Sequence, residues 1–320
     1  MHTAMDLPKK ARELARTVLA GMPKTYKLAS LVYRSGAVAK SMAYVANRAT
    51  PVMMGGRPIV VVYSSEPRPR WRPGSPQPQL AALVDRARPE FERRIEAFAA
   101  FRPNFERIEQ AVHWGSPEPS WVNGFFGGID AIALYGILAT DRPRLYLEIG
   151  SGNSTKFARR AVRDHGLTTK IVSIDPAPRW DIDALCDEVI RQPLEDVDLT
   201  IFDRLEPGDI LFFDGSHHAF MNSDVVTFFL DVLPRLKPGV LVQIHDIFLP
   251  FDYPADWVER HYTEQYLLAV ALLAPTPVAD VMFASQFIVR DAALAKLVEQ
   301  RLAPFAEGES ASFWIKTRSK

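Results

Sequence analysis

The residues best able to do chemistry in this chain stand at the ends of three short apolar runs. Ile210-Leu-Phe-Phe leads into Asp214-Gly-Ser-His217-His218, Val240-Leu-Val-Gln-Ile leads into His245-Asp246, and Leu145-Tyr-Leu-Glu148-Ile leads into Gly150-Ser151-Gly152-Asn153-Ser154-Thr155. An imidazole titrates near neutrality and can take a proton from a hydroxyl, while carboxylates suit a hard divalent ion. The glycine stretch serves a different task. Glycines permit backbone conformations and close approaches that a Cβ forbids, and Asn153, Ser154 and Thr155 favour the start of a helix whose unpaired N–H groups face a polar ligand. By itself such a turn could hold any of several nucleotides, or none.

A fourth run, Val172-Ser-Ile, ends in Asp175-Pro176, which places an acid 25 positions after Gly150 and 23 after Gly152. Open α/β sheets bind ligands beyond the carboxyl ends of their strands, and an acid there can accept hydrogen bonds from both hydroxyls of a ribose. The dinucleotide fingerprint G-x-G-x-x-G wants a third glycine where Thr155 stands, which counts against a nicotinamide oxidoreductase.

The stretch Glu148-Ile-Gly-Ser-Gly-Asn-Ser154 resembles the first motif of class I S-adenosylmethionine-dependent methyltransferases, with Ser154 where many members have a further glycine. The resemblance covers about 121–317. It implies an α/β, Rossmann-like, doubly wound and mostly parallel seven-stranded sheet with an antiparallel last strand. It also implies S-adenosylmethionine as cofactor. Glu148 would lie near the methionine moiety, Gly150, Ser151, Gly152, Asn153 and Ser154 would cradle the cofactor, Asp175 would hold its ribose, and Asp214 would lie alongside. In that strand order the fourth and fifth strands are neighbours, roughly 5 Å apart, so Asp214, His217, His245 and Asp246 converge. The arrangement is similar to that of metal-dependent O-methyltransferases acting on sugars and small molecules. Carried over, His217 is the general base, and Asp214 and Asp246 hold Mg²⁺ or another divalent cation with His245 as a further candidate ligand.

The elements that must position these groups follow from periodicity. Alternating patterns predict strands at 145–149, 170–175, 188–192, 209–214 and 239–245, with helices at about 154–165, 180–186, 195–204 and 220–236. Val281–Val289 reads as a long strand, 291–305 as a helix and Ser312–Thr317 as a last strand. Upstream, Trp121–Ala139 and Gln79–Phe105 read as helical, Pro58–Tyr63 as a lone strand and 1–50 as two or three short helices. Five prolines crowd Glu66–Pro78, the composition of a linker. The expected division is a mainly helical cap region over 1–114 and the α/β domain over 115–320. Phe248, Phe251 and Tyr253 could line the substrate side or pack under the N-terminal helices. The apolar face of a helix within Trp257–Leu273 is expected to pack on the sheet or on another subunit, which leaves room for a homo-oligomer.

Composition bounds the partners. The 320 residues carry 38 basic and 38 acidic side chains, so no global charge points to nucleic acid. Residues 1–50 hold nine Lys or Arg against Asp6 and Glu13, a local charge of 9 − 2 = +7, which could contact an anionic membrane surface or substrate. The lone cysteine, Cys186, allows no internal disulfide, and no secretory leader or membrane-spanning run is visible, which fits a cytoplasmic protein. The expected activity is methyl transfer to a hydroxyl on a sugar, glycoconjugate or other small molecule. The alternative is a non-catalytic S-adenosylmethionine- or nucleotide-binding module in a polysaccharide or lipid assembly complex.

Overall fold

A twisted sheet of seven strands organises the structure, in the order β3-β2-β1-β4-β5-β7-β6. The strands are β1 (Leu145–Ile149), β2 (Lys170–Ile174), β3 (Glu188–Ile190), β4 (Ile210–Phe213), β5 (Leu241–Ile244), β6 (Ala279–Ala284) and β7 (Phe313–Thr317). β1 pairs in parallel with β2 and β4, β4 pairs in parallel with β5, and β7 runs antiparallel to both β5 and β6. Strand order reverses between β1 and β4, the crevice where open α/β sheets take their ligands. Every residue of β1, β4 and β5 is buried. Runs such as Ile210-Leu-Phe-Phe213 suit this because a parallel strand covered by helices on both faces has no polar side to show.

The computed structural model describes residues 66–319 apart from Trp114, Trp180 and Glu309. The helices expected within 1–50, their basic face and the strand at Pro58–Tyr63 lie outside the described residues. From Pro67 onward the chain makes one compact unit. It opens with α1 (Pro78–Asp85), α2 (Arg88–Ala99) and α3 (Arg102–Phe105), followed by α4 (Gly128–Asp141) and, after β1, α5 (Asn153–Asp164). Although sequence groups α1–α3 with the N-terminal region, they share the core of the sheet. Phe91 and Phe98 of α2 meet Phe283 of β6 with ring centroids 6.0 and 5.9 Å apart. α4 is buried along most of its length, and α5 buries Phe157, Ala158, Ala161 and Val162, one stripe of an amphipathic helix.

Several elements differ from the periodic reading. The apolar run at 281–289 begins as β6 but turns helical as α8 (Ser285–Arg290). Its pairing partner among the described residues, β7, starts at Phe313, which lies opposite Ala284, so a longer strand would have no ladder there to join. Within 121–139 the helix starts only at Gly128. The Asn123 side chain captures the preceding loop: its Oδ1 accepts from the N–H groups of Phe125 and Phe126, and its Nδ2 donates to the carbonyls of Ser120 and Phe126. The segment 220–236 forms only the short α6 (Asp224–Thr227), a wider turn over Phe228–Val232 and a tight one at Leu233–Arg235, where Pro234 has no N–H to continue a helix. The helices expected at 180–186 and 195–204 are short 3₁₀ turns, Asp183–Leu185, Leu194–Asp196 and Leu199–Arg204. Beyond β5, the 3₁₀ turn Ala255–Arg260 precedes α7 (Glu264–Leu273), and α9 (Ala292–Leu302) follows α8. α7 buries Leu268, Ala269 and Leu272, while Val270 is exposed. Among the described residues, no helix is long and apolar enough to cross a membrane.

Candidate active site

The glycine turn is built against the end of β4. Gly150 has φ +79°, and a Cβ there would lie 1.8 Å from the Asp214 carbonyl oxygen, so only glycine lets the two strand ends approach so closely. Backbone bonds continue both ladders past the strands: Gly150 N–H donates to Ile174 O at 3.0 Å, and Asp214 N–H to Ile149 O at 2.9 Å. Gly152 differs, because a Cβ there would meet open space. The turn therefore presents backbone to a crevice on its outer side.

Its side chains point elsewhere. Asn153 and Ser154 are buried, and Asn153 Nδ2 donates to Asn123 Oδ1 at 3.0 Å, so the 120–126 loop is tied to the start of α5. Ser151 Oγ lies 2.7 Å from Ser173 Oγ, and Ser151 N–H donates to Asp175 Oδ2 at 2.9 Å. Asp175 Oδ1 accepts from Ala177 N–H at 2.8 Å. One acid thus fixes the turn after β1 to the turn after β2, and it stays partly exposed. Glu148 has no accessible surface. Tyr146 Oη donates to its Oε1 at 2.8 Å, and Thr155 Oγ1 donates to its Oε2. Burial raises its pKa to about 7, against the lowering effect of those hydroxyls. It lies beneath the turn and braces it through Tyr146 and Thr155.

Beyond β4 and β5 the four expected residues do converge. His217 Nε2 is 3.5 Å from Asp214 Oδ1 and 3.6 Å from Asp246 Oδ2. His245 Nδ1 lies 3.2 Å from Asp246 Oδ1 and 3.8 Å from Asp214 Oδ1. His217 (φ +65°) and Asp246 (φ +54°) both adopt the left-handed region, which costs non-glycine residues about 1–3 kcal/mol and recurs at functional sites. The loop after β4 is secured on two sides. Asp224 accepts from Ser216 N–H at 2.6 Å and from Ser216 Oγ at 2.5 Å, and Thr263 N–H donates to His217 O at 2.9 Å.

Three groups that no local spacing reveals complete the cluster. Glu264, the first residue of α7 and fully buried, sets Oε1 2.5 Å from His217 Nδ1. The Tyr262 ring stacks on the His217 ring at 4.2 Å. Asp130 in α4 accepts from Ala311 N–H at 2.6 Å and Ser312 N–H at 3.1 Å, with Oδ2 3.7 Å from His245 Nε2, beyond hydrogen-bond reach. Glu264 and Asp130 stand 47 and 115 positions from the histidines they face, His217 and His245, so only the fold brings each pair together.

Electrostatics follows from this packing. Burial opposes charge on His217, but Glu264, then Asp214 and Asp246, overcome it and raise the ring to about 9. His245 is likewise raised, Asp214 and Asp246 outweighing its burial. Burial pushes Asp214 up, whereas His245 and His217 hold Asp246 below its ordinary value in spite of burial.

The residues expected as a metal set, Asp214, His245 and Asp246, do meet at these strand ends. Among the described residues, no three His, Cys, Asp or Glu side chains form a group placed to hold a metal ion. The carboxylates of Asp214 and Asp246 face histidine nitrogens at 3.2 to 3.8 Å, the spacing of charge pairs.

Residues 147–247, from β1 to just past β5, match a family model described as "Methyltransferase domain". That segment is therefore similar to a methyltransferase domain. The strand order with antiparallel β7 is the one expected for a class I methyltransferase. No curated protein matches the sequence. Among solved structures, the methyltransferase PaMTH1 of Podospora anserina, bound to SAH, is similar at 17% identity over 59% of this chain and 78% of its own, with a TM-score of 0.36. The O-methyltransferase TomG of Streptomyces achromogenes, solved with SAM, shares 15% identity over 76% of this chain and 99% of its own, TM-score 0.36. The MycE methyltransferase of the mycinamycin biosynthetic pathway, in complex with Mg and SAH, shares 18% identity over 57% of this chain and 46% of its own, TM-score 0.35.

The aromatic segment after β5 packs inward. Phe248, Tyr253 and Trp257 are buried and gather with Tyr262 beside the His217 loop. Asp252 accepts from the N–H groups of Arg70 and Trp71 at 2.6 and 2.9 Å, and Gln77 N–H donates to Pro250 O at 3.0 Å. The stretch expected to be a linker is thus partly strapped to the domain.

Proposed function

We propose that the domain transfers a methyl group from S-adenosylmethionine to a hydroxyl of a sugar, glycoconjugate or other small molecule, with His217 as general base. The observation that carries this reading is that the glycine turn and the His217 cluster adjoin, since Gly150 abuts the very residue, Asp214, whose carboxylate faces His217 Nε2.

When bound, S-adenosylmethionine supplies an electrophilic methyl on a sulfonium. The remaining work belongs to the chain. The backbone of Gly150–Gly152 and the start of α5 line one wall of the crevice, and Asp175 offers carboxylate oxygens to the ribose hydroxyls. A hydroxyl is a poor nucleophile until its proton is drawn away, and His217 Nε2 faces Asp214 and Asp246 at 3.5 and 3.6 Å, the side from which an acceptor hydroxyl would have to approach it. The proton taken at Nε2 leaves an imidazolium beside three carboxylates, Glu264, Asp214 and Asp246, which stabilise it.

Methyl transfer from isotopically labelled S-adenosylmethionine to a panel of methyl glycosides and hydroxylated aromatics tests the reading. The wild type is expected to turn over at least one of them. His217→Ala is expected to bind the cofactor normally in calorimetry and to lose turnover by about 100-fold or more. Equal turnover by that variant removes His217 as base. With a ring raised to about 9, the neutral form grows as pH increases, so the rate climbs through neutrality and levels near pH 9.

A further inference from the structure

Burying a carboxylate is costly unless it is paired and hydrogen-bonded, and a helix start beside an aromatic cluster could hold an apolar side chain instead. Glu264 is nevertheless fully buried at the first position of α7, and among the described residues its Oε2 has no hydrogen-bond partner. Its Oε1 lies 2.5 Å from His217 Nδ1. Resting on the reading of His217 as base, we infer that Glu264 is the positioning residue of a Glu264–His217 dyad: it holds the proton on Nδ1, so that Nε2 is the atom left free to accept the proton of the acceptor hydroxyl.

Three contacts hold the dyad in place. Thr263 N–H donates to His217 O at 2.9 Å, so the residue before Glu264 is tied to the backbone of the residue it serves. Ala219 N–H donates to Thr263 Oγ1 at 2.8 Å, closing the strap from the other side of the loop. Tyr262 stacks on the imidazole at 4.2 Å and blocks one of its faces. With Nδ1 bound to Glu264, the opposite edge of the ring is turned to Asp214 and Asp246 at 3.5 and 3.6 Å. A base must present an unprotonated nitrogen in a fixed direction, and the hydrogen bond at the other nitrogen decides which tautomer does so. Glu264 is not placed to touch the reacting atoms, so its effect passes through the histidine.

Nitrogen-15 histidine NMR on the full chain tests the dyad without any acceptor. The wild type is expected to show His217 protonated at Nδ1 with a far-downfield proton, the mark of a short N–H···O bond. Glu264→Gln, nearly the same in shape, is expected to lose that downfield proton while S-adenosylhomocysteine still binds in calorimetry within twofold of wild type. Its turnover with the methyl glycoside panel is expected to fall at least tenfold in kcat with little change in KM, and Glu264→Asp to recover part of it. Absence of the downfield proton in the wild type, its persistence in Glu264→Gln, or full kcat in Glu264→Gln would each overturn the dyad. A wild type that shows the NMR signature but methylates nothing in the panel supports the dyad and counts against the hydroxyl reading alone.

Discussion

The α-carbon of Gly150 sits so close to the Asp214 carbonyl that an added Cβ would be 1.8 Å from its oxygen, whereas two residues on, a Cβ at Gly152 would meet nothing within 4 Å. The two glycines of one motif therefore answer to different constraints, one inside the fold and the other facing the crevice. Gly150→Ala is expected to destabilise the domain by about 3 kcal/mol through strain and overpacking. Gly152→Ala should leave stability nearly unchanged and instead weaken S-adenosylmethionine binding. Urea unfolding and a calorimetric titration of both variants separate the two effects; equal stability loss in both would contradict the distinction.

Asp175 links the turns after β1 and β2 through Ser151 N–H and Ala177 N–H. Asp175→Asn removes the charge and replaces one acceptor oxygen with an amide donor. Affinity for S-adenosylmethionine is expected to fall at least tenfold, equivalent to ~1.4 kcal/mol. Retention of wild-type affinity would remove the ribose role.

Glu148 gives a pH signature in stability. Its carboxyl is raised to about 7 by burial, whereas in the unfolded chain it titrates near ~4.3. The folded state binds this proton more tightly, so the stability it contributes is fully present below the unfolded value and is lost as pH rises through about 7. Glu148→Gln, which cannot ionise, is expected to flatten the urea midpoint between about pH 5 and 8 relative to wild type. Parallel curves for the two proteins would count against a raised Glu148.

The opposite sign holds where α2 meets α9. Arg88 grips Asp291 with two bonds of 2.9 and 2.7 Å, and Asp291 Oδ1 also caps α9 through Ala293 and Leu294 N–H. The Arg88 hydrogen bonds hold the Asp291 carboxyl down at about 2. Its contribution is therefore present above the unfolded value near ~3.9 and lost as pH falls through about 2. Asp291→Asn keeps a competent cap but loses the ion pair, so it should lose less stability than wild type over that acid range. Urea midpoints measured from about pH 5 down to pH 2 check this.

How far sequence carries the site depends on whether a residue's role is written in its neighbours. Glycine spacing, the buried run Leu145–Ile149 and Asp175 at the end of β2 are local signals, and all point to the crevice at the strand-order reversal. The strand ends Asp214–His217 and His245–Asp246 are also local, and the strand order that makes β4 and β5 neighbours brings them together. Long periodic segments such as α5 are legible for the same reason, while Val281–Val289 is not, because what stops β6 at Ala284 is the start of its partner β7 at Phe313.

What sequence by itself determined is the sheet that carries the turn and the kinds of residue that end its strands, since burial periodicity and glycine chemistry act within a few residues. The tertiary structure alone decided what those residues do. It turned Glu148, Asn153 and Ser154 inward, because the turn after β1 closes over them. It set the carboxylates of Asp214 and Asp246 against histidines, and it brought Glu264 across 47 positions to His217 Nδ1, a meeting that depends on the strap from Thr263 to His217 and on no pattern in the chain.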